Sequence, residues 1–406
     1  MTAPDFSQTR SYGGYSGNYP NRTSPAMLAV LSTTTVDGVY AAYLYAAMNA
    51  NSDNDFSDVS GDTFYEMIFA TNAPSPNLAA LPLSYFNNGT GRFFSRSSLT
   101  NPEAYFVSAE NTSYSYDHYG YANGDVRLYH GTNCLVCPSA YRGPAFDGEA
   151  ETPAFSTYRV NNRDQNIGLS RNNQNMFVMD RGAYSAIAMR FESSWASSRF
   201  DENIVDPANP LDYIIREIVH LRPGTLIIRD LHRRRHASDT LDGQFHMGLT
   251  NTPQTVSGGY QVGPLEVSTF YPQNVTVSFG DDTDGGGNLI GTLMQLGFAS
   301  STAPMELVTV FSEALRATNY ANRVLSLNDG THIVFSSDGT LLVLAPPVSL
   351  DIQRIGNAVT LRWTNPAYAL QGGPAASGTF TNVPGATSPY TSSITTSRQF
   401  FRLKAN

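Results

Sequence analysis

Lysine is almost absent from this chain of 406 residues: 25 residues are basic, and Lys404 is the one lysine among them. Schiff-base, P-loop and lysine general-base chemistries therefore have no residue to run on away from the C-terminal edge. Cysteine is nearly as scarce. Cys134 and Cys137 form one C-x-x-C with no second pair, which excludes a zinc ribbon, and no thioredoxin-like βαβ pattern surrounds them. Residues three apart on a strand face opposite ways, so a disulfide here would need a bend; the expectation is two buried strand cysteines. No 18-residue apolar run exists, so no membrane-spanning helix is expected. A basic excess is missing too. The net charge of −9 argues against nucleic acid as a partner, yet a local arginine cluster can still govern the field of a cleft that takes an acidic polysaccharide. Met1–Asp5 shows neither a charged n-region nor an apolar h-region, and the composition is rich in Asn, Ser, Thr and Tyr. The expectation is a mature or truncated piece of a secreted or periplasmic protein.

What is abundant points to strands. Hydrophobic content is 41% against 15% charged, which describes a folded chain, and 45 Tyr and Phe residues stand beside 33 Gly and 23 Pro. Residues 1–80 read as a polar arm and a helical segment. Ser24-Pro25 is an N-cap followed by proline at the first helical position, and 36–50 and 63–70 carry apolar spacing of three to four. From about residue 81 to 346 short runs of Val, Ile, Thr, Tyr and Phe recur between turn formers. Two runs, Tyr213–Leu221 and Thr225–Asp230, flank Arg222-Pro223-Gly224 as a strong hairpin, and Asp338-Gly339 marks a second between 331–335 and 340–344. Pro346-Pro347 opens a separate small β module over 347–406. The fold class expected is mainly β: a large antiparallel β-sandwich, a short N-terminal helical segment and the small C-terminal module.

Other chemistry-bearing stretches read more plainly as structure. Asn51–Asp55 and Gly280–Asn288 carry aspartates but no complete calcium loop, so both read as solvated turns. Arg233-Arg234-Arg235-His236 reads as an exposed turn after a strand. His246 sits in an alternating run and reads as a sheet histidine. Asp230, His232 and nearby serines suggest a triad, but no G-x-S-x-G nucleophile elbow accompanies them.

The stretch Asp117-His118-Tyr119-Gly120 through Gly124-Asp125-Val126-Arg127-Leu128-Tyr129-His130-Gly131 resembles the signature that opens the β-sheet domain of heparinase II/III-like polysaccharide lyases. Leu81-Pro82 followed by Phe93-Phe94-Ser95-Arg96-Ser97-Ser98 resembles that domain's first strand, and Arg216 to Asp230 resembles its arginine-to-aspartate hairpin. The three occur in the family's order over roughly residues 80–250, and the helical segment before them resembles the end of the family's α/α toroid. Ser388-Pro389-Tyr390 and Phe400–Leu403 resemble a C-terminal module of secreted proteins from Verrucomicrobia-like bacteria. The first resemblance implies β-elimination on uronic-acid polysaccharides. That reaction needs the sugar carboxylate neutralised, a base for the C5 proton and an acid for the leaving oxygen. It implies a proton-transfer role for His118, joined by Tyr141 or Tyr158, with Arg96, Arg142 and Asn123 on the substrate.

The chain also departs from the family. Gly120 stands where a second histidine is usual, Cys137 aligns with the metal-binding aspartate, and no later His-Asn pair is found. A substitute set of Cys137, His118 and His246 lacks ligand spacing, so no metal and no cofactor are expected. About 80 residues precede the β region, fewer than the family's toroid needs. The leading expectation is a polysaccharide lyase-like enzyme; the alternative is a non-catalytic protein that binds glycan or serves as a β scaffold.

Overall fold

The computed structural model describes residues 8–10, 18–20, 81–87, 91–112, 114–115, 122–139, 152–165, 168–169, 173–195, 209–271, 275–283, 287–335, 341–344, 350–363, 368–375, 378–394 and 399–405. The helices expected between residues 24 and 70 lie outside them. The described chain is mainly β, in several antiparallel sheets. It divides into two units, 1–320 with 337–340 and 321–336 with 341–406.

The first unit is built on an eight-stranded sheet. In spatial order its strands are Gln174–Asp180, Tyr184–Arg190, Leu211–Leu221, Thr225–Arg234, Met305–Ser312, Leu265–Phe270, Gly259–Val262 and Gln254–Val256. The expected hairpin sits at its centre, with Glu217 opposite Arg229 and Ile218 opposite Ile228. Alternation then sorts the side chains. Leu226 and Ile228 face inward with Asp230, His232 and Arg234, while Ile227 and Arg229 face the other way.

Two smaller sheets meet the inner face. One orders Val275–Thr283, Leu289–Phe298, Leu241–Met247 and Tyr158–Val160; the other orders Ser84–Asn87, Arg92–Arg96, Tyr105–Glu110, Asp125–His130 and Asn133–Val136. Phe93, Val107 and Leu128 from the leading sheet, Ile187, Ile214 and Ile228 from the large one, and Phe245, Met294 and Leu296 from the third form one buried core. Full burial of an Ile or Phe side chain contributes about 1.5–3 kcal/mol, so these contacts dominate the unit.

Three expectations are corrected here. Cys134 and Cys137 are joined in a disulfide with Cα atoms 6.0 Å apart. Opposite them Leu128 pairs with Val136 but Tyr129 pairs with Cys134, so the strand bulges at Leu135 and supplies the bend a flat strand lacks. Gly280–Thr283 belong to a strand, not a turn, because cross-strand pairing with 289–293 overrides their turn-like composition. Arg234 is buried within its strand and donates to the carbonyls of Ser301 (3.1 Å), Asp239 (2.8 Å) and Ala299, so it does not decorate a surface turn.

In the second unit, Val324–Leu327, His332–Phe335 and Leu341–Leu344 pair in sequence, which places the expected hairpin either side of residues 338–339. Two three-stranded sheets follow, closed around Leu361, Trp363 and Leu370. Among the described residues no helix is long and apolar enough to cross a membrane.

Candidate functional site

From Ala122 onward the signature stretch forms a turn and a strand. Gly124 takes φ +82°, and a Cβ there would lie 2.6 Å from the Phe191 ring, so only glycine fits. The following strand, Asp125–His130, runs antiparallel to Tyr105–Glu110. Asp125 anchors its start, accepting from Arg127 Nε at 2.8 Å and from the Ser156 amide at 2.9 Å. Burial pushes the Glu110 carboxyl upward, against the opposing charges of Arg92 and Arg127.

Asn123 is buried beside that turn and every polar group on it is used. Its amide donates to Gln165 Oε1 (2.8 Å), its side-chain oxygen accepts from the Thr112 amide (2.8 Å), and its Nδ2 donates to Ser194 Oγ (3.1 Å). Its carbonyl accepts from Gln165 Nε2 (2.8 Å) and Thr157 Oγ1 (2.6 Å). The Gln165 amide in turn donates to Thr152 Oγ1 at 2.9 Å. Gln244 Nε2 donates to the carbonyls of Pro153 (2.7 Å) and Phe155 (2.9 Å), and Ala122, Ala154 and Phe155 pack together. This network ties residue 122, where the His118 segment ends, to residue 152, where the Tyr141 and Arg142 segment ends. Ser139 Oγ, at that segment's other root, donates to the Ala154 carbonyl at 3.4 Å. His118, Tyr141 and Arg142 themselves lie outside the described residues.

Tyr158 follows directly from Thr157 and points into the core. Its hydroxyl donates to Asp230 Oδ2 at 2.7 Å. Asp230 also receives both arms of Arg216, Nε to Oδ1 at 2.7 Å and Nη2 to Oδ2 at 2.9 Å. Arg216 Nη1 reaches back to the Gly124 and Ser156 carbonyls, so the cluster stitches the signature turn to the central hairpin. Burial, then the Asp230 charge, drives the Tyr158 hydroxyl well above the ordinary phenol range, away from the value a proton donor needs.

Arg96 stands apart from these residues. It ends its strand opposite Phe106, whereas Arg92 pairs with Glu110, which is the partner of Asp125. Four residues of strand, roughly 13 Å, therefore separate it from the Asn123 end. Its guanidinium lies 5.1 Å over the Phe106 ring, and its carbonyl accepts from Arg222 Nε at 2.9 Å. Arg222 is held bidentately by Asp180 at 3.0 and 3.1 Å. Burial alone would raise the Asp180 carboxyl; bonds from Arg222, Ser84 and Gly182 overcome it and hold it down to about 2.

One pair escaped the sequence. His246 Nδ1 lies 2.8 Å from Asp282 Oδ2, both buried, and His246 Nε2 faces Gln244 Nε2 at 3.2 Å. The carboxylate accepts a hydrogen bond from Nδ1–H, which leaves Nε2 as the acceptor nitrogen, facing Gln244. Nothing in the sequence links a strand histidine to an aspartate 36 residues away in a stretch that reads as a turn. Cys137, donating its amide to the His246 carbonyl at 2.9 Å, is close by, but as a disulfide sulfur it is no thiolate ligand.

No protein-family profile matches this sequence, and no curated protein does. Solved structures do. The chain is similar to a heparinase III at TM-score 0.54 and 13% identity, over 85% of this chain and 52% of that one. A second heparinase III, with methylated lysines, gives TM-score 0.54 and 10% identity over 85% and 50%. The heparan sulfate lyase HepC of Pedobacter heparinus, as a mutant, gives 0.52 and 11% over 86% and 51%. The likeness is one of fold, and the chain spans about half the length of these neighbours.

Proposed function

We propose that this protein acts in the manner of a polysaccharide lyase, by β-elimination on a uronate-containing glycan outside the cytoplasm. The carrying observation is the bonding of Asn123, Gln165, Thr152 and Thr157 into one buried network that joins residues 123 and 152, close in sequence to the stretches that hold His118, Tyr141 and Arg142. In this reading His118 and Tyr141 exchange protons with C5 and the leaving oxygen, and Arg142 neutralises the uronate carboxylate bidentately. Asn123 and Tyr158, whose polar groups are bonded internally, hold the fold around residues 123–124 and 156–158 and do not touch the sugar. Arg96, a strand's length from Asn123, would meet a neighbouring sugar unit and not the reacting one. The likeness to heparinase III and heparan sulfate lyase structures supports the fold side of this reading, and the Cys134–Cys137 disulfide suits an oxidising compartment.

The test is ultraviolet absorbance from the unsaturated product, with the native protein and His118→Ala on a panel of acidic polysaccharides. Loss of general acid–base catalysis lowers the rate by about 10²–10⁴-fold. A signal unchanged in His118→Ala removes the histidine from the reaction. The second reading is a glycan-binding scaffold without turnover. It is favoured by one observation, that the polar groups of Asn123 and Tyr158 are all engaged internally. Glycan retention with no absorbance on any substrate selects it.

A further inference from the structure

The outer face of the eight-stranded sheet carries a cleft that the lyase reading does not use. Its volume is about 520 Å³, and it is lined by Thr269, Phe270, Tyr271, Pro304, Glu306 and Tyr320. Register fixes the face: Phe270 pairs with Val308, while Val267 and Phe311, one step out of phase, belong to the inner core. Tyr271, 41% exposed, stands just beyond the end of the strand Leu265–Phe270.

The chemistry of the cleft is one-sided. Glu306 Oε1 accepts from Arg229 Nε at 2.6 Å and from the Tyr320 hydroxyl. Among the described residues nothing bonds Oε2 of the same carboxylate, and the side chain is 30% exposed. Arg229 is buried and cannot serve a ligand as a donor; its Nη1 is held by Glu217 Oε2 at 2.8 Å. Two carboxylates and one guanidinium leave this group with one uncompensated negative charge. Tyr320 donates its proton to Glu306 and is also hydrogen-bonded to Arg229, so its hydroxyl is engaged within the cluster and the ring is what it offers the cleft. The cleft therefore presents one open carboxylate oxygen, aromatic faces and a net negative charge among the described residues. An anionic sugar would be repelled, and a neutral polyol would leave the charge unmatched. A cation rich in donors matches all three, since ring faces and a carboxylate both attract ammonium.

We propose that this cleft binds a primary ammonium carried on an apolar-faced ring, an amino sugar being the type. The ammonium sits on Glu306 Oε2, and the ring's C–H face lies on Tyr271. The site is separate from the segments of the lyase reading and does not depend on that reading.

The experiment is a ligand-observed NMR titration of the full chain with glucosamine, glucose and N-acetylglucosamine at about pH 6, where an amine of this kind is protonated. Glucosamine binds and the two uncharged sugars do not, and added salt weakens the binding. Glu306→Gln weakens it by about tenfold or more. Tyr271→Ala, at an exposed position past a strand end, keeps the fold and weakens it by about threefold. Glucose binding as tightly as glucosamine would make this a neutral-sugar site and overturn the proposal. So would glucosamine binding that neither variant changes, and so would no binding of glucosamine to the native chain.

Discussion

Two arginine–carboxylate clusters lie back to back on the central hairpin of the large sheet, one residue out of step, and the outer one reaches a third strand through Glu306. On the inner face Arg216 meets Asp230; on the outer face Arg229 meets Glu217 and Glu306. The inner guanidinium spends its donors on Asp230 and two backbone carbonyls, and Asp230 takes the Tyr158 hydroxyl as well. The outer cluster ends in a carboxylate that is 30% exposed. Identical side-chain chemistry thus serves different ends according to whether the last partner is protein or solvent. A closed cluster can only hold the fold together, and an open one retains valence for a ligand.

The largest break in that comparison should come from Asp230→Ala. It strands the Arg216 charge and the Tyr158 hydroxyl in a dry core, and loss of one partner of a buried pair costs about 3–5 kcal/mol. Against a domain stability of about 5–15 kcal/mol, that shifts the denaturant midpoint far down. Chemical denaturation of the variant measures it; a midpoint within error of the native protein would show that the cluster contributes nothing net.

Acid should attack the inner face next. His220 lies there, with Nε2 donating to the Pro223 carbonyl at 2.9 Å and Nδ1 accepting from Ser95 at 2.7 Å. Burial, with the Arg222 charge beside it, pushes His220 down from 6.5 to about 4 despite the Pro223 bond. Between those values the unfolded chain binds the proton and the folded one does not, so stability falls as pH drops from about 6.5 to about 4. The full span is worth roughly 3 kcal/mol. His232, on the same face, is pushed down to about 3 by burial and by Arg234, so its stability loss continues to lower pH. Neither of its ring nitrogens finds a partner among the described residues, and its ring packs edge-on to Phe298 at 4.7 Å. His232→Phe should therefore be neutral or stabilising at neutral pH and flatten the acid limb, whereas His220→Phe leaves the buried Ser95 hydroxyl proton without its acceptor. Thermal melts of the two variants across pH separate them; the same acid slope in His232→Phe and native protein would remove His232 from the account.

Much of this architecture was legible and its polar interior was not. The hairpin 213–221 with 225–230 announced itself because long β-branched runs flank a Pro-Gly turn, and the pair around Asp338-Gly339 did so for the same reason. Asp282 and Arg234 read as surface because charge usually is; only the pairing of distant strands reveals that each is buried among partners. The disulfide was hidden by a single extra residue, since nothing in Cys-Leu-Val-Cys announces a bulge. Of the candidate residues, Asn123 and Tyr158 proved to be neighbours through Thr157, a closeness their spacing of 35 residues does not encode. Local patterns write elements; register decides which side chains meet.

The smallest effect sharpens the comparison most. Glu306→Gln removes the open carboxylate but leaves Arg229 its bond to Glu217, and a glutamine oxygen can still accept from Arg229 Nε. The outer cluster then becomes one cation with one anion, so its net charge falls to zero and no buried charge is stranded. The expected stability cost is about 1 kcal/mol, the scale of one hydrogen bond at a partly solvated pair. Denaturant unfolding of Glu306→Gln beside Asp230→Ala reads the difference directly. If Glu306→Gln costs as much as the inner substitution, the outer cluster is as sealed as the inner one, and its free oxygen belongs to the fold after all. If it costs little and still abolishes ammonium binding, the carboxylate is there for what it binds.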